Sequence, residues 1–108
     1  MLETERPIEV FLEILGRRGS FPILWTLARG PQRFSALQQE TGLPPRTLSL
    51  RLKELEDLGL VSRAAYSQVP PRVDYALTRQ GEGLRGVLEA LASWEKTLYE
   101  TPASGKSD

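Results

Sequence analysis

Ile8, Phe11, Leu12 and Leu15 recur at i, i+3, i+4, i+7, the spacing of one helical face, so residues 7–15 are predicted to form an amphipathic helix that Pro7 opens and Gly16 closes. From Ser20 to about Arg29 the pattern changes. Phe21, Ile23, Leu24, Trp25, Leu27 and Ala28 cover nearly the whole circumference of a second helix, which must be buried on several sides. Ser20 is its expected cap, Pro22 suits its first turn, and Gly30-Pro31 ends it. In RFSALQQETG, Ser35 and Gln38 match an S-x-x-Q capping box for a third helix, and Gly42 supplies a left-handed stop. Only Leu43, Pro44 and Pro45 separate it from a fourth, which runs to about Asp57. Pro45 fits the first helical position, whereas Pro44 has no side-chain acceptor and forgoes a cap worth roughly 1 kcal/mol. Two short helices joined so tightly form a helix-turn-helix pattern.

Residues 60–66 and 72–78 then read as two strands around SQVPP. Val73, Tyr75 and Leu77 alternate with Asp74, Ala76 and Thr78, the period of a half-buried strand. Pro70 and Pro71 cannot donate ladder hydrogen bonds and mark the hairpin tip, where Arg72 is expected as a rigidly presented cation. Thr78 should cap a last long helix with the stripe Leu84, Val87, Leu88, Leu91, Trp94 and Leu98. Gly81, Gly83 and Gly86 within it each cost about 0.5–1 kcal/mol against Ala, which suggests a close backbone approach.

The expected fold is therefore mainly α with a small β-hairpin wing, a winged helix-turn-helix flanked by N- and C-terminal dimerisation helices. Its expected limits are one domain over 1–101, with the helix-turn-helix at 33–58, the wing at 60–78 and dimerisation helices at 7–15 and 79–98. A polar tail, 102–108, is expected to be disordered.

Composition narrows the chemistry. The 108 residues suffice for one core. No apolar run approaches the ~18 residues of a membrane span, and MLETERP lacks the features of a signal peptide, so the cytoplasm is the default. With neither cysteine nor histidine, disulfides, thiolate metal sites, the commonest metal ligand and the usual general base are all missing. No enzyme, cofactor or metal centre is expected.

Net charge is zero, but its distribution is uneven. Nine Lys and Arg face four acids between Gly16 and Arg72, while the two ends hold five bases and ten acids. A basic middle can serve a polyanion inside a neutral chain. On the fourth helix, Leu48, Leu52 and Leu55 share one side and should pack on Trp25's helix. Arg46, Ser49, Leu50 and Lys53 lie opposite, with Thr47 beside them, as on helices that read the major groove. Arg46 suits guanine or a phosphate, Thr47 and Ser49 bases or backbone, and Lys53 a phosphate. Leu50 is either an apolar contact for a thymine methyl or an ordinary exposed leucine. Pro45 and Ser35 complete the candidate set on the helix-turn-helix, and Arg72 completes it on the wing. For the cations the plainer alternative is a solvated charged face, and for Arg72 a surface pair with Asp74.

The order GPQRFSALQQETGLPPRTLSLRLKELEDLGLVSRAAYSQVPPRVDYALTRQG resembles the HxlR-type winged-helix transcriptional regulators of bacteria, relatives of the MarR group. The likeness covers about residues 8–95, with RLKELEDLGLVSR and VPPRVDYALT its most specific parts. It implies a dimeric protein that binds a double-stranded DNA operator, with Pro45, Arg46, Thr47, Ser49 and Leu50 on the front of the recognition helix and Arg72 on the wing. Many members carry a cysteine near the start of the first helix, used in some for sensing electrophiles or oxidants; this chain has none, so thiol sensing is excluded. Ser20-Phe21 replaces the usual Lys-Trp pair, Pro44 the usual small polar cap, and Leu50 a common polar residue.

Ile8, Phe11, Leu12 and Leu15 make one stripe, and that of the last helix, with Leu91, Trp94 and Leu98, is too long for so small a core to cover. The two either pack together within one chain or build a two-fold dimer interface, and Trp94 and Leu98, beyond the reach of the core, favour the dimer. An unidentified small-molecule effector could sit between Trp25's helix and the dimer helices, although Trp25 and Phe21 are first expected to be core. The alternative to a DNA-binding regulator is a winged-helix protein-protein interaction module without specific DNA binding.

Overall fold

A computed structural model describes residues 7–100. The order is α1 (Pro7–Leu15), α2 (Ser20–Leu27), β1 (Gln32–Arg33), α3 (Phe34–Thr41), α4 (Pro45–Asp57), β2 (Val61–Tyr66), β3 (Arg72–Leu77), α5 (Arg79–Glu82) and α6 (Arg85–Glu100). The expected tail, 102–108, lies outside the described residues. The protein is mostly helical, with a three-stranded antiparallel sheet in the order β1-β3-β2.

The core forms where the helical stripes converge. Ile23, Leu24 and Leu27 of α2 meet Leu37 of α3 and Leu48, Leu52 and Leu55 of α4, all at most 1% exposed. Each stripe was set by its own spacing, and their common burial locks α4 onto α2 with its opposite face outward. Gly42 stops α3 at φ 69°, and Pro45 opens α4 at its first position without a side-chain cap, both as the sequence implies. None of the described helices is long and apolar enough to cross a membrane.

Four local expectations are corrected. Ser20 is not a cap: Gly19 takes that position at φ 92°, and the Ser20 hydroxyl is buried and donates to the Ile14 carbonyl at 2.7 Å. The capping box at Ser35 does not form, because α3 begins at Phe34 with Arg33 as an extended N-cap and no side-chain cap bond. The cause is tertiary. Gln32 and Arg33 pair with Tyr75 and Asp74 of β3, and this strand holds the chain extended up to Phe34.

The last helix is broken. Thr78 does cap its start, with Oγ1 accepting from the Gly81 amide at 3.0 Å and donating to the Gly59 carbonyl at 2.6 Å. Gly81 is the expected close approach, since a Cβ there would collide with the Leu60 carbonyl. That contact holds α5 against the wing, while Leu88 of α6 seats in the core beside α2, and one straight helix cannot satisfy both. The fourth correction concerns the aromatics of α2. Phe21 is half-buried, but Trp25 is 37% exposed at the edge of the core and stacks on Phe21 at 5.6 Å between ring centroids.

Candidate nucleic-acid interface

The periodicity of α4 sorts its residues by side. With Leu48, Leu52 and Leu55 buried, Arg46, Ser49, Leu50 and Lys53 are all exposed, Thr47 is half-buried beside them, and Pro45 stands exposed at the helix start. Ser35 is exposed on the first turn of α3. Among the described residues no ion pair engages Arg46. Lys53 instead donates to Asp57 one turn on at 2.9 Å, a bond that raises its pKa above the ordinary lysine value.

The acids of α4 are largely spoken for. Asp57 takes Lys53, and Glu54 takes two arginines from its flank, so less uncompensated negative charge faces outward than the sequence suggests. The exposed face has a cationic, polar first half, and in the second half Glu56 is the one acid of three without an ion pair among the described residues.

The wing differs from its expected form. Arg72 is not at the tip but opens β3, opposite Tyr66, at the foot of the loop 67–71. Its Nε and Nη2 donate to the two oxygens of Asp74 at 3.0 Å each, and its guanidinium lies 5.4 Å from the centre of the Tyr66 ring. The surface pair with Asp74 is therefore the arrangement present. Asp74 is held below the usual carboxylate range by the Arg72 hydrogen bonds first, with further help from the charges of Arg72 and Arg33. The pair is asymmetric: Asp74 is 13% exposed and Arg72 40% exposed. Nη1 of Arg72 makes no hydrogen bond among the described residues, so the cation keeps donors for an outside acceptor. The tip itself is uncharged, with Val69 fully outward.

Arg33 is a wing residue that local pattern did not reveal. It is exposed, stands across the ladder from Asp74, and enters the sheet through a strand of two residues, too short to show any alternation.

The candidate dimer residues divide into two groups. Phe11 and Leu15 are half-buried against the core, whereas Ile8, Leu12, Leu91, Trp94 and Leu98 are 46–59% exposed. Phe21, Leu91, Trp94, Leu98 and Tyr99 line an open apolar groove of about 360 Å³. A second hollow of about 200 Å³ lies between α2 and α6, floored by Trp25, Ala28 and Leu88. Its arginines already have partners: Arg85 bonds Glu82 and the Ala28 carbonyl, and Arg29 bonds Glu40. No cluster of acidic side chains suited to a metal ion occurs among the described residues.

Helices α3 and α4 with the hairpin beside them define a winged helix-turn-helix. Residues 14–102 match the HxlR-like helix-turn-helix model, and the chain belongs to that family. It is 40% identical over 87 residues to the HTH-type transcriptional regulator YkvN of Bacillus subtilis, covering 80% of this chain and 74% of that one. Among solved structures it resembles the HTH-type regulator ytcD, with a TM-score of 0.82, 33% identity and 90% and 100% of the two chains covered. It also resembles the redox regulator HypR in its reduced form, with a TM-score of 0.81, 30% identity and 88% and 95% covered. The chain is a helix-turn-helix transcriptional regulator and not an enzyme. HypR is named a redox regulator, whereas these 108 residues contain no cysteine. The interaction-module alternative finds no support among the relatives.

Proposed function

We propose that this regulator acts as a homodimer that binds a specific duplex DNA operator, with α4 in the major groove and the wing on the minor groove or backbone. One observation carries the reading. The outer face of α4 displays Arg46, Ser49 and Leu50 on its first two turns, exposed and without an ion pair on Arg46, while the opposite face is wholly consumed by the core. Exposed donors on the leading turns of a helix-turn-helix's second helix are what base reading requires.

Arg46 bonds guanine or a phosphate, Thr47 and Ser49 reach bases or backbone, and Leu50 meets a thymine methyl. Ser35, Pro45 and Lys53 flank this contact, and Arg72 offers its remaining donors to a phosphate or the minor groove. The exposed residues Ile8, Leu12, Leu91, Trp94 and Leu98, with Phe11 and Leu15 beneath, pair two chains so that half-sites lie one helical turn, ~34–36 Å, apart. The hollow over Trp25 and Leu88 suits a small, mostly apolar effector, because its two arginines are already paired and Glu89 is the one charged lining residue without an ion pair among the described residues. A DNA operator places the working protein in the cytoplasm.

The test is fluorescence anisotropy with the duplex upstream of the protein's own gene beside a scrambled duplex, at low and moderate salt. Tight binding that prefers the native duplex and weakens with salt is expected, since neutralising phosphates releases counterions. Equal, weak binding to every duplex in a genomic selection would overturn the reading.

A further inference from the structure

Glu54 sits on α4 but has no part in the outward face just described. Its two carboxylate oxygens take different arginines: Oε2 accepts from Nη1 of Arg17 at 2.6 Å, and Oε1 accepts from Nη1 of Arg51 at 2.7 Å. Arg17 belongs to the corner between α1 and α2, and its Nη2 also donates to Glu13 of α1 at 3.1 Å. Arg51, on α4 itself, donates Nε to the Arg18 carbonyl in the same corner at 2.7 Å. The corner is thus joined to the flank of α4 by charge-assisted hydrogen bonds, which are short and roughly twice as strong as neutral ones.

The main chain confirms how closely the two parts approach. Gly19, at φ 92°, lies where an added Cβ would stand 2.7 Å from Cδ1 of Leu43 and 3.5 Å from Cγ of Arg51. The buried Ser20 hydroxyl then fastens the corner back to the Ile14 carbonyl of α1. Helix α1 has no fully buried residue of its own. Its seating on the body therefore depends on half-buried Phe11, Ile14 and Leu15 and on this corner. In the ion pair that joins the two parts Arg17 is 37% and Glu54 20% exposed, and Arg51 beside them is 14% exposed, so the linkage is partly sheltered from solvent.

We propose that Glu54 is a positioning residue that fixes the orientation of α4 relative to α1. Through α1, which presents Ile8 and Leu12 to a second copy, it sets the separation of the two recognition helices. The second part rests on the dimeric DNA reading above; the first does not. Loosening the linkage should lower affinity for an operator of fixed half-site spacing more than affinity for scrambled DNA, because backbone binding tolerates misplacement and paired base reading does not.

The absence of cysteine makes the test direct. Spin labels on Glu9→Cys in α1 and Ser49→Cys in α4 of the full chain, diluted with unlabelled protein, report the α1–α4 distance without DNA. The parent should give one narrow distribution and Glu54→Gln a broadened or displaced one. Without labels, Glu54→Gln should lose about fivefold to tenfold in operator affinity at unchanged affinity for the scrambled duplex. It should also be penalised less than the parent by one base pair inserted between half-sites. Should Glu54→Gln fail to melt cooperatively, Arg17→Gln, which keeps the Arg51–Glu54 bond, takes its place. A variant distance distribution identical to the parent's would overturn the proposal. If the parent itself does not distinguish the duplexes, the DNA reading fails, while the distance measurement still decides the role of Glu54.

Discussion

Helices α4 and α6 are both amphipathic, with 13 and 16 residues, yet their apolar stripes meet opposite fates. Leu48, Leu52 and Leu55 of α4 are at most 1% exposed, while Leu91, Trp94 and Leu98 of α6 remain about half exposed, with Leu88 buried at the helix's near end. Both stripes follow the same periodicity. The difference is position. α4 lies between α2 and β2 and finds apolar neighbours along its length, whereas α6 leaves the core after its first turn and, among the described residues, runs beyond the elements that could cover it. A stripe satisfied within the chain frees the opposite face for polar work, and a stripe left open is the surface on which the proposed second copy would pack.

The most forceful way to break this comparison is to truncate both stripes. Leu52→Ala should destabilise the fold by about 2–5 kcal/mol in urea unfolding, because it removes buried methyl groups and leaves a cavity. Leu91→Ala should barely change unfolding measured at dilution, so equal losses at both sites would erase the distinction. Next in size, Trp94→Asp or Leu98→Asp should shift sedimentation from dimer to monomer, a loss of about 2 kcal/mol or more if the aromatic is central to the interface. An unchanged dimer would move the interface to another surface.

On the opposite face of α4, Arg46→Ala should lower operator affinity by about 1–3 kcal/mol without moving the urea midpoint. Arg72→Ala should weaken binding to all sequences alike and reduce the salt slope by about 1 per contact. Affinity unchanged at intact helicity would remove Arg72 from the interface. The smallest effects separate two caps. Thr78→Ala should destabilise by about 1 kcal/mol, since it removes a formed N-cap bond. Ser35→Ala should stay within about 0.5 kcal/mol, because Ser35 is exposed and caps nothing. A comparable loss at Ser35 would mean that the capping box forms in solution.

How much was legible follows the range of the interactions involved. The stripes of α1 and α4, the Gly42 stop, the uncapped start at Pro45 and the Thr78 cap depend on residues within a turn of one another, and each could be read from spacing. The failures lie where a distant segment intervenes. Ser35 lost its cap role to the pairing of Gln32 and Arg33 with β3, some forty residues away. Ser20 lost its own because the corner needs Gly19 at a positive φ, pressed against Leu43. Arg72 was correctly placed on the wing but wrongly at its tip, because the ladder continues to the Tyr66–Arg72 pair and Asp74 draws the guanidinium inward. The candidate contact face was readable as a helical face; that Arg46 keeps no ion pair while Lys53 has one was not.

The sequence by itself determined the helices, the hairpin and which side of each would be apolar, because those properties repeat with the local geometry of the backbone. Tertiary structure decided the two-residue strand, the break before α6, the partner of Arg72 and the clamp at Glu54. Each depends on groups far apart in the chain coming within a few ångströms, and no local periodicity records such a meeting.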